Sequence, residues 1–160
     1  MTTTPTGQVD GDKLILTRIF RADIDDVWAS VTDPERTARW YGAWKGDAAP
    51  GRTIQVQMVY EEGAPWTQMR IDACEPPSRL SLSSIGMPEE WRLDLLLSHA
   101  DGRTELRFVH HLTPSDGVGE VGPGWEYYLD LLVTSRDGGA QPDFGDYYPA
   151  MKAYYEGLTT

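Results

Sequence analysis

Residues 18–42, RIFRADIDDVWASVTDPERTARWYG, change hydrophobic period and end in a crowd of aromatic rings. The segment opens on the end of a β-rich run, Leu14–Phe20, whose apolar residues do not alternate cleanly enough to assign faces. The period then becomes helical. Ile24, Val27, Trp28 and Val31 fall at i, i+3, i+4 and i+7, with Asp23 placed to cap and Asp26 three residues on. Asp33-Pro34 restarts the chain, because aspartate accepts from free amides at a helix start and proline lacks the N–H that the first turn leaves unused. A second short helix is expected to run to about Trp40, with Gly42 and Gly46 ending it. Trp40, Tyr41 and Trp44 therefore crowd together at its end, and water disfavours two indoles and a phenol side by side. They need a surface or a cavity to cover.

From Arg52 onward the period is two. Ile54, Val56, Met58 and Tyr60 alternate with Thr53, Gln55, Gln57 and Val59; Met69, Ile71 and Ala73 alternate with Gln68, Arg70 and Asp72; Leu80 and Leu82 alternate with serines. Trp91, Leu93, Leu95 and Leu97 come next, and beyond the Asp101-Gly102 turn stand Thr104, Leu106, Phe108 and His110. Short connections imply an antiparallel meander with one wet face. The glycine- and proline-rich residues Pro114–Gly124 read as loop. Helical spacing returns at Trp125, Tyr128, Leu129 and Leu132, and a last short helix is expected around Pro149–Glu156. The order is that of an α+β domain: an antiparallel sheet of about six strands, two short helices after the first strand, and a C-terminal helix to cover the sheet. A twisted sheet closing on one helix leaves space between them.

Composition narrows the function. A chain of 160 residues is one domain, here residues 13–160 behind a flexible segment 1–12, with 140–160 as an atypical extension. Net charge −11 disfavours nucleic acid and anionic lipid as partners. The single cysteine, Cys74, makes no intrachain disulfide, and a cytoplasmic setting is expected. Neither a signal peptide nor a membrane-inserted span is expected, since the first twelve residues carry no basic start and later apolar runs are short.

The stretch quoted above, the strand begun by Pro50-Gly51-Arg52, the turn EPPSRLSLS, the strand DGRTELRFVHH and the helix start GPGWEYYLDLL together resemble the activator of heat-shock-protein-90 ATPase homologues. That family belongs to the START-like, or SRPBCC, superfamily, and the similarity covers roughly Lys13–Asp137. The resemblance implies a helix-grip fold, a sheet wrapped around a long helix, with a hydrophobic cavity used across the superfamily for small apolar molecules. It implies no particular reaction.

The candidate ligand-binding residues are Trp40 and Trp44, then Tyr60, Met69, Trp91, Phe108 and His110 on the strands, and Trp125 and Tyr128 on the final helix. Each has a plain structural alternative as core, and for Trp40, Tyr41 and Trp44 that alternative is a plug. The leading expectation is binding of a small apolar or aromatic ligand, with no catalytic residue and no cofactor. A cyclase, dehydratase or hydrolase using His110 with Tyr60 or Tyr128 as proton donors is the enzymatic alternative. A chaperone contact, suggested by the family, is the third.

A metal site is not expected, because His110 and His111 point to opposite faces of a strand and only His99 and Cys74 remain. Gly117-Val-Gly119-Glu-Val-Gly122 spells a dinucleotide fingerprint, but it comes after an antiparallel meander and no later strand completes a parallel unit. The pairs Asp25-Asp26, Glu61-Glu62 and Glu89-Glu90 read as solvated charge. Exposed apolar residues such as Val59 and Val109, with the tyrosine-rich tail, leave room for a homodimer.

Overall fold

The computed structural model describes residues 4–58, 60–86, 90–113 and 116–159. Its elements are β1 (Gln8–Asp10), β2 (Lys13–Phe20), α1 (Ile24–Thr32), α2 (Pro34–Thr37), β3 (Trp44–Lys45), β4 (Thr53–Gln57), β5 (Trp66–Glu75), β6 (Arg79–Ile85), β7 (Arg92–Ala100), β8 (Arg103–His111), α3 (Val118–Asp137) and α4 (Lys152–Gly157). The strands make one antiparallel sheet in the order β1-β2-β8-β7-β6-β5-β4-β3. Strands β3 to β8 form a meander, and the chain closes it by pairing β8 with β2 along the full length of β2, Lys13↔His111 to Phe20↔Thr104. This is an α+β helix-grip architecture with eight strands among the described residues rather than about six. The two unforeseen strands, β1 and β3, have three and two residues, too few to show a period. Segment 1–12, expected to be flexible, supplies β1, whose Val9 pairs with Leu14.

The faces of β2 are now plain. Leu14, Leu16, Arg18 and Phe20 turn inward, while Ile19 is 61% exposed. The alternation is obscured in the sequence because a charge stands on the buried face and an isoleucine on the wet one. A register shift between Ile71 and Ala73 in β5 has a similar effect, since an extra residue reverses the facing of every later position in the strand. Cys74, not Ala73, therefore joins Met69 and Ile71 on the inner side.

Helix α3 begins at Val118, well before the expected Trp125, and carries Pro123 inside it. The glycines that make this stretch look like loop have another use. A Cβ on Gly122 would lie 2.4 Å from the Tyr155 ring, and one on Gly119 would lie 2.9 Å from Glu156. The fingerprint-like glycines let α4 pack directly on α3.

Asp33 caps α2 as expected, accepting from the Glu35 amide at 3.0 Å. Asp23 occupies the N-cap of α1 without a side-chain bond. Asp26 instead accepts from Arg36 at 2.8 Å and Arg136 at 2.7 Å, tying α1 to α2 and to the end of α3. Those two guanidiniums hold its carboxyl down to about 2. Val109, expected to be exposed, is buried at 6%, and Val59 and Glu89 lie outside the described residues.

Arg18 reaches from the sheet to α3, where its guanidinium meets Glu126 at 2.9 Å and Asp130 at 3.1 Å. Glu126 is 1% exposed and accepts five hydrogen bonds: two from Thr6, and one each from Gly7, Arg18 and Tyr155. Burial pushes this carboxyl up, but the bonds from Thr6, Tyr155 and Arg18 outweigh it and hold it below the usual glutamate range. Removing one partner of such a buried pair strands the other. Glu126→Ala is therefore expected to destabilise the fold by roughly 3–5 kcal/mol in urea denaturation. Because the folded carboxyl lies below its ordinary value of 4.5, its contribution is complete above that pH and is lost as pH falls through the folded value. Acid titration of stability should show that loss in the native protein and a shallower one in Glu126→Gln.

Candidate functional site

The sheet's inner face and the two short helices enclose an apolar cavity of about 110 Å³. Its walls include the aromatic crowd at the end of the opening stretch. Trp40 is buried and Trp44 half-buried, and their indole N–H groups donate to Ser30 O and Thr32 O, both at 2.9 Å. Those carbonyls belong to the last turn of α1, where no helical amide comes after to claim them. The rings are thereby fixed in orientation with their carbon faces on the cavity. Met69, Phe108 and Trp125 complete the wall with leucines of β6 and β7.

A second, wider cavity of about 440 Å³ lies beside the first. Tyr60, Trp91, Trp125 and Tyr128 line it, as do Met58 and Phe144. Tyr41 and Trp125 touch both cavities and stack with centroids 6.1 Å apart and planes 19° from parallel, so the pair forms the partition. Tyr128 meets Tyr41 edge-on at 5.2 Å. Burial raises the Tyr41 phenol, and burial together with the Glu61 carboxylate raises that of Tyr128, so both stay protonated at neutral pH.

Eight of the nine candidate residues thus border one cavity or the other: Trp40, Trp44, Met69 and Phe108 the inner, Tyr60, Trp91 and Tyr128 the outer, and Trp125 both. Tyr60 does so from a turn rather than from the expected strand, with its hydroxyl donated to Arg39 O at 2.7 Å. His110 is different. It is fully buried and lines neither cavity. Trp125 Nε1–H donates to its Nδ1 at 3.0 Å, so the proton sits on Nε2, which faces Asp116 Oδ2 at 3.3 Å. Burial lowers its pKa, with Asp116 opposing. His110 orients the ring that divides the cavities, and both its nitrogens are occupied in doing so. His111, on the opposite face, pairs with Asp94 at 2.7 Å.

Several lining residues carry no mark in the sequence. Glu61, a solvated charge by its pattern, stands at the outer cavity with Glu120. Phe144 comes from the extension, and Tyr127 meets it edge-on at 5.2 Å. No periodicity marks residues that a turn and a tail bring to one opening. Among the described residues no group of three His, Cys, Asp or Glu side chains is placed to hold a metal ion. No helix among them is long and apolar enough to cross a membrane.

The family described as Activator of Hsp90 ATPase homolog 1-like protein matches residues 21–135. The chain belongs to that family. Membership in this family and the sheet wrapped around α3 make the fold an SRPBCC helix grip. The crystal structure of CalU16 from Micromonospora echinospora superposes with a TM-score of 0.76 at 27% identity, over 97% of this chain and 95% of that one. BPP1335 from Bordetella parapertussis (TM-score 0.75, 24% identity, 95% and 90% coverage) shares the fold. So does DynU16, from the dynemicin biosynthetic locus (TM-score 0.71, 23% identity), with 88% of this chain matched to 51% of that one. No curated protein matches the chain.

In this family member one glycine holds the partition in place. A Cβ on Gly42 would lie 1.9 Å from the Gln57 carbonyl oxygen, so the backbone after Tyr41 lies against β4. Gly42→Ala must push the two apart. We expect a stability loss of about 1–3 kcal/mol, the usual scale for overpacking, with a changed near-ultraviolet circular dichroism signal as the Tyr41–Trp125 stack shifts.

Proposed function

We propose that this protein binds a small hydrophobic or aromatic molecule between the sheet and α3, in the cytoplasm, with the outer cavity as the main seat. One observation carries this reading: an opening of about 440 Å³, within the usual range for small-ligand sites, is walled by aromatic rings and floored by the Tyr41–Trp125 pair. The inner cavity, at about 110 Å³, accepts only the tip of a ligand. Rigid rings suit that purpose, because they offer large contact area while few torsions are frozen on binding. The acid–base alternative draws no support from His110, which faces neither cavity, and the chaperone reading rests on the family name alone.

The test uses Gly124, a position on α3 that lines the outer cavity and whose added Cβ would meet nothing within 4 Å. Nile red, a neutral apolar dye, should bind the native protein saturably with enhanced emission. In Gly124→Phe the new ring should fill the cavity and abolish the enhancement, while helix propensity keeps the fold at least as stable. Non-saturating emission from the native protein, or unchanged binding by the variant, would refute the outer cavity as the seat.

A further inference from the structure

The outer cavity's polar groups are unevenly chosen. Among the described residues seven aromatic ones border it, and the charged ones there are Glu61 and Glu120. No Lys, Arg or His among the described residues lines it. Glu120 already pairs with Lys152 at 3.1 Å. Glu61 makes no ion pair among the described residues; its carboxylate stands near the Tyr128 hydroxyl, whose pKa it raises, and keeps acceptor capacity. The Tyr60 hydroxyl is spent on Arg39 O. What a ligand meets is therefore a set of electron-rich ring faces with one uncompensated negative charge at the rim.

Each feature selects the same sign. Indole and phenol faces attract a cation through the ring quadrupole, and a carboxylate nearby adds direct attraction. An anionic headgroup would meet Glu61 with no guanidinium, ammonium or imidazolium to answer it. We propose that the ligand of the outer cavity is an organic cation, an apolar or aromatic body bearing a protonated amine, with the amine held by Glu61 and the surrounding tyrosine and tryptophan faces. This rests on the binding role proposed above and specifies its chemistry. Phe144 supplies one of the cavity's ring faces from beyond residue 135, where the family match ends.

Three probes with one aromatic body separate the possibilities: 1-naphthylmethylamine, protonated at neutral pH, 1-naphthalenemethanol and 1-naphthoate. Isothermal titration at low salt should show the amine binding about tenfold more tightly than the alcohol, the combined scale of a cation–π contact and an exposed charge pair, with the carboxylate weakest. Glu61 is exposed, so Glu61→Gln leaves the fold intact. It should reduce the amine's advantage to the cation–π share and leave the alcohol's affinity unchanged, and added salt should reduce the advantage in the native protein. An alcohol binding as tightly as the amine overturns the cationic assignment, and an amine preference undiminished in Glu61→Gln overturns the part given to Glu61, while the hydrophobic seat stands in either case. If no probe saturates, and Nile red does not either, both proposals fall.

Discussion

A single buried carboxylate joins sheet to helix. Glu126 faces Arg18 of β2 across the interior, and the same carboxylate gathers Thr6 and Gly7 from the N-terminal segment and Tyr155 from α4. A charge in that position is tolerable only if every neighbour stays in place, because an unsatisfied buried ion is far more costly than the net gain from the pair. The constraint is therefore geometric as much as energetic. It ties α3, the segment at Thr6 and Gly7, α4 and β2 into one unit. On the same helix, Trp125 and Tyr128 border the outer cavity.

The inner cavity stays open because its walls are tied from behind. The Trp40 and Trp44 indoles are held by the last carbonyls of α1, and Trp125 by His110, which Asp116 holds in turn. An aromatic ring free to rotate would collapse into a void of about 110 Å³ to recover lost dispersion contacts. A ring whose N–H would be orphaned by that movement does not. The same residues thus satisfy both descriptions of the opening aromatic cluster. They are packed as core on one side and present a bare face on the other.

The sequence was informative where one physical signal dominated. Two-residue alternation located β4 to β8 within a few residues, and the Asp33-Pro34 restart placed α2, because burial on one face and helix-end chemistry leave local marks. Reading failed where a residue served a distant partner. Gly119 and Gly122 looked like loop because their reason is Tyr155 and Glu156 of α4, and Arg18 blurred the pattern of β2 because its partner is Glu126. The site divided along the same line. Trp40, Trp44, Met69, Phe108 and Trp125 were legible as inward apolar positions. Glu61 and Phe144 were not, since a turn carboxylate and a tail aromatic acquire a role only when the chain brings them to one rim.

The tail shows how residues beyond 135 add an opening to the architecture that residues 21–135 build. Residues 21–135 build the sheet's central strands, both short helices and nearly all of α3, and with them the inner cavity. The outer cavity needs more. Tyr147 donates to Asp130 at 2.7 Å, and Asp130 is itself a partner of Arg18, so the extension is fastened to the same clamp that positions α3. From that anchor the chain projects Phe144 against Tyr127 at the rim. Aromatic area at a rim changes which ligands are covered without disturbing the sheet beneath, since its attachment runs through the helix. The position of α3 and the shape of the opening are thus governed by one polar network, whose loss would alter both together.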